Sequence, residues 1–160
     1  MPHPDPARSA ARLALFERYR ERGATVWIGA SGTSMGRAVP SGSSLLVEFG
    51  ASEPRVGEIV VARCGGSLMS HRVVSRRETT AGLVLTTKGD ARRYFDPPVP
   101  ASDVLGVVRG MRRASGGRVE RGTCHGPRAV AAACLSKASG LLRARVSATT
   151  IGRLSSRFGA

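Results

Sequence analysis

Aromatic side chains are scarce: one Trp, two Tyr and four Phe make up 4% of the 160 residues. A core of aliphatic residues is therefore expected. Rings this few also argue against recognition of RNA or single-stranded nucleic acid, which relies on stacking bases against aromatic side chains. Cysteine is nearly absent. The three present, Cys64, Cys124 and Cys134, are odd in number and form no CxxC pair. That speaks against a disulfide framework or a zinc centre, and Cys124–His125 has no further ligands spaced around it. No run of apolar residues approaches the length of a membrane span. The opening stretch, MPHPDPARSAARLALFERYRERG, lacks the apolar segment of a secretory signal and carries acids. The expected compartment is the cytoplasm. Acidic residues are also few, 11 against 25 Lys and Arg, for a net charge of +14.

The excess of positive charge is uneven. From Arg109 onward stand eleven Arg or Lys and a single acid, Glu120. A basic tail of this kind can attract nucleic acid, anionic lipid or an acidic partner. Residues 128–146 combine Val130, Leu135, Leu141 and Leu142 with Arg128, Lys137, Arg143 and Arg145. As a helix broken near Gly140, this segment could rest on an anionic membrane, or pack its leucines on the preceding domain.

Periodicity divides the chain in three. Over residues 1–23, Asp5-Pro6 is a helix start, and Leu13, Phe16 and Tyr19 recur at helical spacing before Gly23. One such helix is too little for a helix-turn-helix module. Over 24–113 the period changes to short β-type runs: ATVWI, SLLVEF, GEIVVARC, LMSHRVV, GLVLTT and VLGVVRGM. Turn residues separate them, among them Ser41-Gly42, Gly57, Gly65-Gly66, Gly82 and Gly89. Residues 114–160 form a basic, partly helical extension. The fold class is mainly β: a folded antiparallel domain with a short N-terminal helix and a basic C-terminal extension.

Three segments carry side chains suited to chemistry. Ser31-Gly32-Thr33-Ser34-Met35 follows the first strand, and a serine in a Gly-containing turn can present both its hydroxyl and its backbone N–H. His71 sits in Ser70-His71-Arg72-Val73-Val74, where alternation puts Met69, His71 and Val73 on one face. Thr87-Lys88-Gly89-Asp90 is followed six residues on by Asp96-Pro97. Singly, each has an ordinary reading as a loop serine, a core histidine or a turn aspartate.

Taken in order, the segments run Ser-Met, Gly-Glu-Ile-Val-Val, His-Arg-Val-Val, Lys-Gly-Asp with a further Asp, and Val-Leu-Gly-Val-Val. This order resembles the endoplasmic-reticulum and archaeal branch of the type I signal peptidases, over about residues 24–112. The resemblance implies a signal peptidase/LexA-like β-domain. It also implies Ser34 as nucleophile, His71 as base, Asp96 as the acid of the triad and Asp90 as a supporting aspartate. Bacterial signal peptidases and self-cleaving repressors share the fold and the serine but use lysine where this chain has His71. The roles agree with elementary chemistry: a hydroxyl needs a base to take its proton, and the base needs a third group to fix its tautomer. The Ser34 backbone N–H, with Thr33 or Ser31 nearby, would hold an oxyanion.

Departures from the family pattern are also present. Arg37 stands where the family has Pro, Gly42-Ser43 and Gly57-Glu58 replace Gly-Asp pairs, and Ala91-Arg92 follow the Lys-Gly-Asp motif in place of Asn. The expected function is that of a serine endopeptidase acting on a peptide or protein precursor through an acyl-enzyme on Ser34. No metal or organic cofactor is implied. The alternative is a non-catalytic module of the same fold that binds a leader peptide or partner protein.

Overall fold

Alternating apolar residues and closely spaced glycines turn the middle of the chain into strands, and a computed structural model shows how they pair. It describes residues 6–50, 53–65, 67–117, 119–120 and 129–138. Helix α1, Pro6–Glu21, begins on a proline whose fixed φ suits the first helical position. Asp5, the expected cap, lies outside the described residues, as do Cys124, His125 and everything after residue 138. The helix ends where Gly23 adopts φ 58° and the Gly23 and Ala24 amides return to the carbonyls of Arg20 and Tyr19.

Seven strands follow among the described residues: β1 (Thr25–Gly29), β2 (Ser44–Phe49), β3 (Ile59–Cys64), β4 (Ser67–Thr79), β5 (Gly82–Lys88), β6 (Val99–Pro100) and β7 (Val104–Arg112). Their order in one sheet is β1-β2-β7-β3-β4-β5-β6, and every neighbouring pair is antiparallel. The mainly β class is thus the observed one. β7 returns from the end of the domain to lie between β2 and β3. Its register shifts opposite Leu46/Val47 and Val61/Ala62, and β4 shifts against β5 between Val73 and Ser75. Such bulges bend the sheet and raise its twist.

That bending gives two cores. Ile59 and Val61 join Leu45, Val47, Phe49, Leu105, Val108 and Met111 on one side. Val60 and Ala62 join Val73, Leu85, Val99, Val104 and Val107 on the other. β3 therefore reads as an unbroken apolar run, because both its faces are covered.

Helix α1 closes the first core. Phe16 is buried at 4% exposure. Its ring meets Phe49 edge-on at 5.1 Å, and Tyr19 lies 5.4 Å from Phe49. Three of the seven aromatics thus meet where helix packs on sheet.

Beyond β7 the chain doubles back: Met111 and Glu120 exchange backbone hydrogen bonds, and Glu120 pairs with Arg113. A second helix, α2, covers residues 129–138. It buries Ala129, Ala133 and Ser136 and leaves Val130 and Leu135 exposed. The packing face is therefore the small-residue face, not the one marked by Val130 and Leu135. Gly57 explains the close approach, since a Cβ there would lie 2.7 Å from the Val130 nitrogen. The expected break at Gly140, together with Arg128, Leu141, Leu142, Arg143 and Arg145, falls outside the described residues. No helix among the described residues is long and apolar enough to cross a membrane.

Removal of the Phe16 ring should expose how much α1 depends on this contact. Phe16→Ala is expected to lower unfolding free energy by about 3 kcal/mol, as large-to-small changes in packed cores do. Urea titration followed by circular dichroism measures it, and a loss under about 1 kcal/mol would show α1 to be loosely held.

Candidate active site

The loop between β1 and β2 presents Ser34. Two turns shape it: Gly32 and Gly36 adopt φ 96° and 54°, and the Gly36 and Ala38 amides bond to the carbonyls of Thr33 and Met35. Met35 and Val39, each 4% exposed, anchor the loop in the first core. Ser34 immediately precedes the first of these anchors and is half-buried, with its hydroxyl toward β4.

His71 stands in the middle of β4, opposite Val60 of β3. Its Nε2 is 2.9 Å from Ser34 Oγ and its Nδ1 is 2.7 Å from Asp96 Oδ2. The ring is 7% exposed. Asp96 comes from the loop after β5, where its amide bonds to the Thr87 carbonyl at 3.0 Å. The Thr87 hydroxyl donates to the same Oδ2 at 2.8 Å. Ser34, His71 and Asp96, separated by up to 62 positions in sequence, thus form one hydrogen-bonded chain.

Asp90 does something different. It receives three contacts from the Arg72 guanidinium, the shortest 2.7 Å from Nη2 to Oδ2. Arg72 is 1% exposed and its Nη1 also donates to the Gly57 carbonyl at 2.7 Å. His71 and Arg72 are consecutive, so their side chains leave opposite faces of β4. One reaches Ser34 and the other holds the turn that carries Asp90.

Gly89 lies between them. A Cβ there would meet the Ser34 carbonyl at 2.6 Å and His71 Nε2 at 3.1 Å. Only hydrogen fits, and the Ala91 amide then reaches the Ser34 carbonyl at 2.9 Å. Lys88, the preceding residue, is fully buried and points away: its Nζ is 3.0 Å from Ser136 Oγ on α2 and 3.4 Å from the Gly89 carbonyl.

Ser31 and Thr33 are exposed and line a cleft of about 410 Å³ that also contains Ser34 and His71. Neither side chain forms a hydrogen bond among the described residues. The Ser34 amide donates to no backbone carbonyl among the described residues either. No group of three or more His, Cys, Asp or Glu suited to a metal occurs among the described residues.

Sequence reasoning overlooked Arg72, Thr87, Gly89 and Lys88 as parts of the site. A signal existed for Arg72: an arginine inside the apolar run of a central strand must be paired when buried. The Thr87 hydroxyl and the space at Gly89 depend on how two distant segments meet, which spacing does not report.

Residues 8–108, more than half of the chain, match the model of the family described as Peptidase S24-like. No curated protein matches the chain.

The two aspartates should separate in a thermal test. Asp90→Ala leaves the Arg72 guanidinium buried without its carboxylate and is expected to cost about 3 kcal/mol. Asp96→Asn keeps shape and an acceptor oxygen and should cost under about 1 kcal/mol. Calorimetry of both variants checks this, and equal losses would contradict the division of labour. Gly89→Ala should push Ser34 away from His71. A crystal structure of that variant with the 2.9 Å contact intact would show that the turn yields instead.

Proposed function

The chain belongs to the Peptidase S24-like family, and from that premise we propose that it is a serine endopeptidase resembling signal peptidase I, cleaving a peptide or protein precursor. The observation that carries the proposal is the continuous hydrogen-bonded chain Ser34–His71–Asp96.

In this mechanism Asp96 accepts the proton-bearing Nδ1 of His71, which leaves Nε2 free to accept from Ser34. The Thr87 hydroxyl holds the same carboxylate oxygen and keeps it from turning away. As Ser34 Oγ forms its bond to the scissile carbonyl carbon, its proton passes to His71 Nε2. The carbonyl oxygen becomes an oxyanion and accepts the Ser34 backbone N–H, with Thr33 and Ser31 beside it on the cleft wall. Collapse of the tetrahedral species breaks the C–N bond, and His71 returns the proton to the leaving amine. Water, deprotonated by the same imidazole, then releases the acyl group.

Two features support the Ser-His over the Ser-Lys version of the chemistry. The position facing Ser34 is histidine. The buried lysine closest in sequence, Lys88, is bonded to Ser136 and the Gly89 carbonyl.

Ser34→Ala and His71→Ala should each abolish peptide cleavage and labelling by a fluorophosphonate probe while leaving the fold intact. Loss of a triad member costs on the order of three orders of magnitude or more in rate. Mass spectrometry of candidate peptides incubated with wild type and with each variant reads this out. If Ser34→Ala cleaves as fast as wild type, the assignment is wrong. If the wild type neither cleaves nor reacts with the probe, the chain is a non-catalytic module of the same fold.

A further inference from the structure

The cleft beside Ser34 has an unbalanced charge. Its floor is apolar, built from Ile28, Met35, Val39, Val61 and Leu68, and its wall carries two arginines, Arg12 from α1 and Arg92 from the turn after β5. Among the described residues no aspartate or glutamate lines it. The carboxylates near it are engaged elsewhere: Glu17 and Asp103 hold Arg63, Asp90 holds Arg72, and Asp96 faces His71. Neither Arg12 nor Arg92 has a carboxylate partner among the described residues.

Arg12 is nevertheless held in place by its side chain, and Arg92 by its backbone. The Arg12 guanidinium lies 5.3 Å from the centre of the Phe16 ring and donates through Nη2 to the Gly29 carbonyl at 3.1 Å. Those contacts fix its plane and leave further N–H donors for another acceptor. Arg92 follows the Gly89 turn, its amide bonded to the Gly89 carbonyl at 2.8 Å. Its side chain therefore starts from the segment that touches Ser34.

We infer that the cleft selects acidic peptides, with Arg12 and Arg92 as specificity-determining residues that pair with Asp or Glu side chains flanking a short apolar stretch. Resting on the peptidase reading, this names the class of substrate. The apolar floor takes the uncharged residues next to the cut, and the guanidinium groups take carboxylates with paired, parallel hydrogen bonds. Both arginines are solvent-accessible, so each pairing is worth at most about fivefold in affinity and weakens as salt rises.

The test uses fluorescein-labelled peptides that share an Ala-Val-Leu-Ala centre and carry Glu, Gln or Lys on both sides. Binding is measured by anisotropy on the Ser34→Ala protein, and cleavage by mass spectrometry on the wild type. The Glu peptide should bind most tightly and the Lys peptide least, with a gap of about fivefold per charge at low salt that shrinks at about 0.5 M. R92E alone should narrow the gap, and R12E/R92E should invert it in favour of Lys. Inversion is a change that general damage to the fold does not produce. Equal binding of the Glu and Gln peptides, or no binding by any of the three, overturns the inference. So does a double variant that weakens all three alike. Cleavage without charge preference overturns the inference and leaves the peptidase reading standing. The expected binding order with neither cleavage nor fluorophosphonate labelling does the reverse.

Discussion

The Arg72–Asp90 pair is the interaction on which the geometry around Ser34 depends. Arg72 is the largest fully buried side chain of the domain. Burying a guanidinium is costly unless its charge and its donors are matched. Asp90 matches the charge and the Gly57 carbonyl takes a further donor, so one side chain joins β4 to the turn before β3 and the turn after β5. The turn after β5 is also a neighbour of His71, whose Nε2 lies against Gly89. Because His71 precedes Arg72 on the same strand, fixing the backbone at one also sets it at the other.

The segment from Thr87 to Asp96 collects the remaining constraints. Thr87 orients Asp96, Gly89 admits Ser34 and His71 to close contact, Asp90 answers Arg72, and the Ala91 amide holds the Ser34 carbonyl. Few residues here are free to change independently, since adjacent positions serve different partners. A second charged network lies across β2 and β7, where Arg109 meets Glu48 and Glu58. Burial works against the Arg109 charge, but the two carboxylates outweigh it and raise its pKa further above the ordinary value. That network braces the sheet away from the cleft.

Much of this was legible in the sequence for a definite reason. Strands β2, β3, β5 and β7 announce themselves because alternation and β-branched runs reflect burial directly, and glycines mark the turns between them. Ser34, His71 and Asp96 could be named because the order of five short segments is more specific than any one of them. What was not legible depends on contacts between segments far apart in sequence. The face on which α2 packs is one such case. Packing of Val130 and Leu135 on the domain was one of two readings, yet Gly57 lets the backbone approach so closely that alanines fill the interface. The Thr87 hydroxyl is another: a threonine near a turn has many partners to choose from until the loop carrying Asp96 is in place.

Lys88 shows how far the site extends beyond the residues that match the family. An ammonium group at 0% exposure must find partners or lose its charge. Ser136 supplies one from α2, which lies after the matched span of residues 8–108. The same lysine precedes the glycine that Ser34 and His71 press against. Its Nζ also lies 3.4 Å from that glycine's carbonyl, so one side chain touches both α2 and the turn beside Ser34. The helix of residues 129–138 is thus a structural neighbour of the candidate active site through the buried Lys88, although it begins more than 30 positions beyond Asp96 in sequence.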